Sequence, residues 1–436
     1  MYTVTLIPGD GIGPEVTKSM VKVVEATGVN IKWEEVKAGQ EVIEEYNTPI
    51  PTYVIDSIKK NKVAIKGPIT TPIGKGFKSV NVTLRQNLDL YVNLRPIKSF
   101  KGIKSRYENI DLVIVRENTE DLYAGIEHKI GDYGAESIKL ITKPACERIC
   151  EFAFKYAMDN NRKKVTGVHK ANIMKLSDGL FLNTYREVAS KYNIEYDDLI
   201  VDAAAMNLVL NPQNYDVMVM PNLYGDILSD LCAGLVGGLG IIPGANIGKE
   251  YAVFEAVHGS APQIANQNIA NPTAIIQSSV MMLRYLGEYD AAKKIENALE
   301  QVFLKGKNLT IDLGGRALTK EFTEEIIKYI KLNKRISMAD VSTVEEGINC
   351  AKLGANILST TLSGYTTHSA PATEEPDFEL LRALVSETDV PVVLEGRIWE
   401  PWQVDKAFKL GAHCVVIGSA ITRPQLITKR FVQRNK

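Results

Sequence analysis

The regular alternation of strand-like and helix-like stretches restricts the fold of this chain more than any other feature. Short β-branched runs such as DLVIVREN (111–118) and YDVMVMPN (215–222) are typical of strands buried on both faces of a sheet. Between them, PACERICEFAFKYAMDN (144–160) and SDGLFLNTYREVASKYN (177–193) have helical periodicity. The pattern predicts an α/β enzyme over residues 1–330.

Residues 331–436 show the same alternation with a more regular spacing. Four strand candidates alternate with three helical stretches, and each strand ends in polar or glycine residues. The C-terminal face of a β/α barrel requires such strand ends, because its chemistry lies there. Four units predict a (β/α)4 half of a TIM-type barrel. The strands are RISMADVS, NILSTTL, PVVLEGRI and CVVIGSAI, and the helices are TVEEGINCAKLG, DFELLRALVSE and PWQVDKAFKLG.

The two parts are joined without a loop. EEIIKYIKLNKRISMADVS (324–342) reads as a helix, a short basic connection and the start of a strand. The helix can close the first part and also precede the first barrel strand. We therefore predict a junction inside a shared helix near 324–335, as in a natural or artificial fusion that needs no linker.

A glycine-rich segment, GDGIG (9–13), follows the first strand candidate and precedes a helical stretch. A dinucleotide fingerprint needs another glycine three residues after its second one. Counted from Gly11 or from Gly13, that position holds Pro14 or Val16. The spacing excludes a standard Rossmann domain and predicts a tight turn, with Pro14 in the first turn of the helix.

Arg85, Arg95 and Arg116 lie near strand-like segments, and two of them end strongly apolar strands. Guanidinium groups bind carboxylates with two parallel hydrogen bonds. Structural ion pairing accounts well for any single arginine, but three together favour a polycarboxylate ligand.

Three aspartates are candidate metal ligands. Asp226 and Asp230 in NLYGDILSD are four residues apart and share one helix face, and Asp202 lies in LIVDAAAMN. Sites with few carboxylates suit Mg²⁺ or Mn²⁺, completed by water and substrate oxygens. A solvated helix start, where the dipole favours acids, is the alternative.

Lys170 and Tyr123 are candidate proton carriers. Lys170 in VHKANIMK follows an apolar strand, and a lysine close to cations can serve as a base. A phenol such as that of Tyr123 can donate a proton to a developing carbanion. Either residue alone is more often structural.

Six segments, in order, resemble the metal-dependent β-decarboxylating dehydrogenases of the isocitrate/isopropylmalate dehydrogenase family. The likeness covers nearly all of residues 1–330 and implies that family's fold, with interleaved subdomains and the small one at roughly 100–230. It also implies hydride transfer from a 2-hydroxy acid to a nicotinamide cofactor, loss of the β-carboxylate and protonation of an enolate. The segments are IPGDGIGPE, RENTEDLYAG, VHKANIMK, NLYGDILSD, GGLGIIPGANIG and EAVHGSAP.

The resemblance assigns a role to each charged residue above. The three arginines would hold the substrate carboxylates, and the three aspartates would bind the metal. Lys170 would act as base on the hydroxyl side, and Tyr123 as the acid that protonates the enolate. A homodimer or higher homo-oligomer is implied, in which Lys170 and one metal aspartate cross the subunit interface.

The segment FKSVNVTLR decides the substrate within this resemblance. Isocitrate-specific members have polar residues like Ser79 and Asn81, which can bond the third carboxylate, whereas relatives acting on 3-isopropylmalate have an apolar residue. Unpaired buried polar groups discriminate strongly between substrates, so we expect isocitrate. Homoisocitrate, one methylene longer, is the alternative. Ser79 can also be a helix N-cap.

The loop HGSAPQIANQNIANP (258–272) decides the cofactor, because the resemblance places it at the adenosine end. Users of the phosphorylated cofactor carry a Lys-Tyr pair where this chain has Gln263 and Ile264, so NAD is expected. Gln263 departs from the acidic residue common in NAD users. The implied cofactor contacts are Thr71, His258, Gly259, Ser260, Ala261, Pro262, Ile264 and Asn271.

After residue 331, MADVSTVEEGI, STTLSGYT, VVLEGRI and GSAITRPQ resemble the C-terminal half of N-acetylmannosamine-6-phosphate 2-epimerase, a (β/α)8 enzyme. The resemblance retains Asp340 and an acid/base, Glu395. Its catalytic lysine and a substrate arginine belong to the missing half, so we expect no epimerase activity. The positions where a sugar phosphate would bind are Gly396, Gly418, Ser419 and Arg423.

Half a barrel would leave its first and fourth strands as open edges, which invite pairing with another chain. Two copies could pair into a pseudo-complete barrel, helped by dimerisation of the first part. A loosely folded segment is the other possibility.

Composition excludes several partner classes. Net charge is −1, with no polybasic run, which argues against nucleic acid and anionic membrane. No stretch approaches the roughly 20 apolar residues of a membrane span, and MYTVTLIPGDG lacks signal-peptide character. The five cysteines are predicted to be buried reduced thiols, and a cytoplasmic location is expected.

Together the two resemblances imply an NAD-dependent, metal-requiring isocitrate dehydrogenase with an incomplete epimerase half. A homoisocitrate dehydrogenase is the nearest alternative. A regulatory or scaffolding subunit, which uses the half-barrel to bind a sugar phosphate or a partner, is an alternative of another class.

Overall fold

The protein, described by a computed structural model over residues 1–70, 79–332 and 336–433, divides into two units. The first is Met1–Leu332 and the second is Asn333–Lys436. The subdomain boundaries expected near residues 100 and 230 have no counterpart in this division and stay a prediction.

One mixed ten-stranded sheet runs through the first unit in the order β2-β1-β3-β12-β11-β4-β5-β10-β8-β9, and β6 and β7 form a separate hairpin. The strands are Tyr2–Ile7 (β1), Ile31–Glu35 (β2), Val63–Lys66 (β3), Val92–Lys98 (β4), Asp111–Glu117 (β5), Glu127–Ile130 (β6), Gly134–Ser137 (β7), Lys164–His169 (β8), Glu195–Ile200 (β9), Val217–Met220 (β10), Pro243–Ile247 (β11) and Ala252–Ala256 (β12).

Eleven helices accompany these strands in the described residues of the first unit. They are Gly13–Ala26 (α1), Gln40–Tyr46 (α2), Thr52–Asn61 (α3), Val80–Asn87 (α4), Lys143–Asp159 (α5), Ser177–Ala189 (α6), Val201–Leu210 (α7), Asn222–Val236 (α8), Thr273–Tyr285 (α9), Tyr289–Lys305 (α10) and Thr319–Lys331 (α11).

The middle of the sheet is antiparallel, whereas both flanks are parallel. β11 pairs antiparallel with β12 and β4, and β4 pairs antiparallel with β5. The strands β3, β5, β10 and β12 are almost wholly buried, which explains their continuous apolar character. This mixed order differs from a doubly wound dinucleotide-binding sheet, so the exclusion of a standard Rossmann domain is confirmed.

Glycine is required in the turn between β1 and α1. Gly9 and Gly11 have φ of +81° and +58°, a region that disfavours side chains. A Cβ on Gly11 would also lie 2.1 Å from the carbonyl oxygen of Ser260. The predicted tight turn is present, Pro14 lies in the first turn of α1, and the turn packs directly on the loop after β12.

The second unit is a four-stranded parallel sheet in the order β13-β14-β15-β16, with helices on one face. All four predicted strands and three predicted helices are present. No closed barrel forms in the described residues, and β13 and β16 are the two edges. The elements are Met338–Asp340 (β13), Val344–Lys352 (α12), Ile357–Ser359 (β14), Phe378–Glu387 (α13), Val392–Glu395 (β15), Pro401–Lys409 (α14), Cys414–Val416 (β16), Ser419–Thr422 (α15) and Pro424–Gln433 (α16).

Each unit has its own apolar core. In the second unit Leu358, Val392 and Leu394 pack against helices α13 and α14. All five cysteines are free, as predicted, but Cys350 is only partly buried and Cys414 is exposed, so the prediction of burial was wrong for these two. Among the described helices, none has the length and apolar character needed to cross a bilayer.

Candidate active site

The three arginines come from three different elements and meet at one place. Arg116 is the penultimate residue of β5, Arg95 lies inside the neighbouring strand β4, and Arg85 lies on α4. All three side chains are buried, although guanidinium groups remain charged in proteins. Buried cations require nearby anions, and two carboxylates on α8 meet this need for Arg95 and Arg116.

Asp226 links the arginines to Tyr123. One carboxylate oxygen accepts from Arg116 and lies 3.7 Å from an Arg95 nitrogen, and the other accepts from the Tyr123 hydroxyl. The guanidinium of Arg116 also lies 5.0 Å from the centre of the Tyr123 ring. The predicted acid is therefore in contact with a predicted metal ligand and a predicted substrate arginine.

Asp230 lies one helical turn beyond Asp226 and is exposed. Its carboxylate is 3.5 Å from Arg95, whose guanidinium also donates to Ser229 at 2.6 Å. The pair Asp226 and Asp230 thus shares a helix face, as predicted, and the positive charge between them is Arg95.

Charge and burial shift the titration of this cluster. Burial, followed by the charges of Arg116 and Arg85, lowers the pKa of Arg95 to about 10. Burial alone would raise the pKa of Asp226, but Arg116 and the Tyr123 hydrogen bond outweigh it and lower that pKa. Burial and the bond to Asp226 raise the pKa of Tyr123 above its usual value. Tyr123 is therefore a protonated donor at neutral pH.

Gly225 allows Arg116 to lie against α8. A Cβ on Gly225 would come within 2.4 Å of the Arg116 side chain. Arg116 instead donates to the Asn222 side chain at 2.8 Å, as well as to Asp226. The sequence pattern gave no reason to single out Gly225.

Lys66 and Glu255 belong to the same charged region, and the sequence reasoning missed them. Lys66 is 2.7 Å from Glu255, which in turn is 3.6 Å from Arg85, and all three side chains are buried. Burial would raise the pKa of Glu255, but Lys66 and Arg85 lower it to about 2. A single charge in an apolar strand could have identified both residues, since Lys66 ends one such strand (VAIK) and Glu255 lies within another (AVFEA).

A cavity of about 130 Å³ adjoins these charges. Its lining includes Asn81, Arg85, Arg95, Lys66 and His258. Among the described residues, Oδ1 of Asn81 and Nε2 of His258 are buried without a hydrogen-bond partner. Two orphaned polar atoms beside three cations favour a polar anionic ligand there.

Ser79 lies directly before α4, at its N-cap. Its carbonyl accepts from Thr83, but within the described residues its side chain makes no capping hydrogen bond. The capping alternative therefore has no support from the described contacts.

Lys170 and Asp202 form a pair of their own. The Lys170 ammonium is 2.5 Å from Oδ1 of Asp202, at the start of α7, and this contact lowers the pKa of Asp202. Within the single chain, the ion pair described for the Lys170 ammonium is the one with this carboxylate. In the described part of the chain, no three metal-binding side chains come together, so Asp202 does not complete a site with Asp226 and Asp230.

The loop after β12 carries most of the predicted cofactor contacts. Ser260 bonds Thr70 at 2.6 Å, and its carbonyl accepts from the Ile12 amide. Burial lowers the pKa of His258, which keeps that ring neutral. Gly259, Ala261 and Pro262 continue the loop into a single 3₁₀ turn, which ends at Ile264, and Thr71 lies outside the described residues.

Asn271 and Ile264 are fixed by neighbours in the first unit. The Asn271 amide donates to Asp312 at 2.9 Å and accepts from the Thr273 backbone. Ile264 is partly buried against the main core.

The strand ends of the second unit gather the residues expected there. Thr361 donates to Glu395 at 2.9 Å and lies 3.2 Å from Asp340, so it joins the ends of β13 and β15. Gly396 follows β15 with φ of +100°, where a side chain would be strained. Gly418 and Ser419 open the short helix α15, and Arg423 follows it as an exposed residue.

Comparison with known proteins agrees with this arrangement. Residues 3–328 match the family model for isocitrate/isopropylmalate dehydrogenase. The chain belongs to the isocitrate/isopropylmalate dehydrogenase family. A second model, for N-acetylmannosamine-6-phosphate epimerase, matches residues 303–436 and overlaps the first match over residues 303–328.

Relatives in this family cover the first unit. A regulatory subunit of the mitochondrial NAD isocitrate dehydrogenase of Dictyostelium discoideum is 54% identical over 76% of this chain and 93% of its own length. Catalytic subunit 5 of the Arabidopsis thaliana enzyme is 51% identical over 75% and 88%. The crystal structure of isocitrate dehydrogenase from Methylococcus capsulatus is 52% identical, with a TM-score of 0.74 over 76% of this chain and all of that one.

The predicted site residues fall into three groups in the structure. The arginines, Tyr123 and the two α8 aspartates form one cluster, whereas Lys170 and Asp202 lie apart from it. In the second unit, Asp340 and Glu395 are joined through Thr361 at the ends of β13 and β15.

Proposed function

We propose that the chain oxidises isocitrate with NAD and a divalent cation, Mg²⁺ or Mn²⁺, and releases 2-oxoglutarate and CO₂. The observation that carries this proposal is the buried arginine cluster beside two partly exposed carboxylates. The family membership and the names of the relatives support isocitrate and NAD.

The charges of the site match this substrate. Lys66, Arg85, Arg95 and Arg116 supply four positive charges, and Asp226, Asp230 and Glu255 supply three negative ones. The net charge is then +1, and a divalent cation on the α8 aspartates would raise it to +3. Isocitrate carries three carboxylates, so the loaded site and its substrate would be neutral together.

The donor chemistry fits a hard cation. Asp226 and Asp230 are oxygen donors one turn apart, and Mg²⁺ commonly uses one or two carboxylates plus water and substrate oxygens. When bound, the metal would supply positive charge to the substrate hydroxyl and to the enolate oxygen. Asp226 must then share oxygens that now accept from Arg116 and Tyr123.

Two residues of this chain would move protons. Lys170 would accept the hydroxyl proton while the carbon-bound hydride passes to NAD. After CO₂ leaves with its bonding electrons left on the substrate, Tyr123 would return a proton to the enolate carbon. The raised pKa of Tyr123 supports this role, since it keeps the proton on the phenol at neutral pH.

Lys170 and Asp202 would come from another subunit. We propose a homodimer or higher homo-oligomer in which this pair completes the arginine cluster of a neighbouring copy. Apolar side chains around the pair support a subunit contact, because Ile173, Leu176 and Met206 are 69%, 90% and 56% exposed. Relatives named as subunits suggest mixed oligomers as a further arrangement.

The cofactor loop favours NAD over its phosphorylated form. Ile264 is apolar and partly buried against the core, so it offers no charge or hydrogen bond to a 2′-phosphate. The implied contacts at His258, Gly259, Ser260, Ala261 and Asn271 stay proposals.

The second unit would lack epimerase activity. Asp340 and Glu395 are held by one threonine, and the partner residues expected in the missing half-barrel have no counterpart after residue 331. Two-sided proton transfer needs both partners. The cytoplasmic location also stays a proposal.

Initial rates test the proposed activity. Purified full-length chain should form NADH from isocitrate with Mg²⁺ or Mn²⁺, and much less NADPH. Homoisocitrate under the same conditions should be slower, because Ser79 and Asn81 would be mispositioned by one methylene. Absence of turnover with either substrate, in a chain whose arginine cluster is intact, would reject the enzyme assignment.

A purely regulatory role is the second candidate, since the Dictyostelium relative is named as a regulatory protein of its enzyme. The intact arginine cluster is compatible with isocitrate binding without turnover. Isothermal titration separates the cases: a regulatory protein would bind isocitrate and form no NADH, whereas the proposed enzyme would do both.

A further inference from the structure

Helices pack on one face of the sheet of the second unit, and on the other face the two edge strands carry exposed side chains. Leu358, Val392 and Leu394 face the helices, so residues one position away in each strand face the opposite side. On the edge strands, that opposite side carries Met338, Cys414 and Val416. Met338 is 52% exposed and Val416 is 37% exposed.

Among the described strands, helix α16 has only β16 to cover. In a β/α barrel, the helix after a strand packs over that strand and the next one. α16 follows β16, which is an edge, and its apolar Leu426, Phe431 and Val432 are exposed. The missing neighbour is therefore a strand beside β16.

We propose that two copies of this chain pair through their second units and close an eight-stranded parallel barrel. β16 of each copy would lie beside β13 of the other, and a two-fold axis along the barrel would repeat the contact. The unpaired backbone groups of both edge strands would then be hydrogen-bonded, and α16 would cover the junction between the two copies.

The observed register predicts which residues meet. Asp340 pairs with Ser359 on β14, Ser359 with Val393 on β15, and Val393 with Cys414 on β16. A barrel of this kind has a shear of about eight residues, so each half contributes about four. Val416 then lies opposite Met338 of the second copy, with both side chains on the face opposite the helices. A shear of four residues in the opposite direction would place β16 against helix α12 instead of β13.

Charge favours a second copy as the occupant. Arg423 follows α15 at the carboxyl end of β16, and Glu345 lies in the first turn of α12 at the carboxyl end of β13. Both side chains are exposed, and in the described part of the chain neither has an ion-pair partner. In the closed barrel α16 and α12 of different copies are neighbours, so these opposite charges approach each other.

Cross-linking in the full chain tests the pairing. Two differently tagged chains are co-expressed, one with Met338→Cys and the other with Val416→Cys, and both with Cys414→Ser to remove an exposed thiol. Complexes that carry both tags are then treated with a short bismaleimide. The control complexes carry Met338→Cys on both chains, or Val416→Cys on both.

The expected result is a covalent dimer from the mixed pair and little from either matched pair. Equal yields in all three, or no covalent dimer from the mixed pair, would overturn the proposal. Hydrogen exchange on the unmodified chain provides a second readout. Backbone amides of β16 should exchange as slowly as those of β15, and exchange at the rate of open amides would also overturn the pairing.

Discussion

The hydroxyl of Tyr123 donates to the same Asp226 carboxylate that accepts from Arg116. An acid, a metal ligand and a substrate cation are thus connected by one side chain. Asp230, in contrast, has only Arg95 within ion-pair distance among the described residues. The two aspartates should therefore respond differently to the same substitution.

Asp226→Asn and Asp230→Asn should both raise the metal concentration needed for half-maximal activity, by about 10–100-fold. Asp226→Asn should also lower the melting temperature, because it leaves Arg116 buried without its anion. Titration of Mg²⁺ in NADH assays and thermal melts without metal measure the two effects. Asp290→Asn, at the exposed start of α10, is the control, and equal melting temperatures for the two variants would contradict this interpretation.

Gly225→Ala should damage activity although it removes no functional group. The new methyl would lie within 2.4 Å of the Arg116 side chain and displace that guanidinium from Asp226. A fall in kcat/KM of about 100-fold or more is expected, since small displacements of positioning groups are costly. A Cβ added at Gly234 on the same helix would meet no atom within 4 Å. Gly234→Ala should therefore keep activity and raise the free energy of unfolding by up to about 1 kcal/mol.

Complementation tests the subunit origin of Lys170. Lys170→Met and Arg95→Gln should each abolish turnover in separate preparations. A co-expressed mixture should regain about a quarter of normal activity, because half of randomly formed dimers are hybrids with one intact site. Recovery would vanish if both residues served the same protomer. Lys175→Met, an exposed position on the same segment after β8, controls for loss of charge on that surface.

Glu255 should make the protein sensitive to acid. Its pKa is lowered from 4.5 to about 2, so the ionised form stabilises the fold above pH 4.5 and that contribution is lost as pH falls towards 2. Glu255→Gln removes the anion between Lys66 and Arg85. It should lower the free energy of unfolding by about 3–5 kcal/mol at pH 7. Urea unfolding at several pH values measures this free energy, and the difference between variant and parent should become smaller below pH 4.5. A constant gap would contradict the assignment.

Local patterns predicted local elements well. The half-barrel strands and helices appear where alternation placed them, because each unit buries its own apolar face. The order of the ten-stranded sheet was not predictable, since β12 and β11 lie between β3 and β4 although they follow them by well over 100 residues. No periodicity records such long-range pairing.

The candidate site divides in the same way. Arginines and aspartates in distinctive segments were identified, but Lys66 and Glu255 were missed because each looked like one charge in an apolar strand. The two residues form an ion pair only because β3 and β12 are neighbours in the sheet, which places Lys66 beside Glu255. The pairing of Lys170 with Asp202 was also beyond the sequence, because 32 residues separate them.

The contact between Lys170 and Asp202 has a consequence for timing. The Lys170 ammonium already occupies Oδ1 of Asp202, so a cation bound by Asp202 would compete with the lysine for that carboxylate. In the assembly that we propose, docking of a loaded neighbour would draw Asp202 away and release the amine in one event. Lys170 would stay ion-paired with Asp202 in a monomer, and it would become free to act as a base only after a second subunit and the cation have bound.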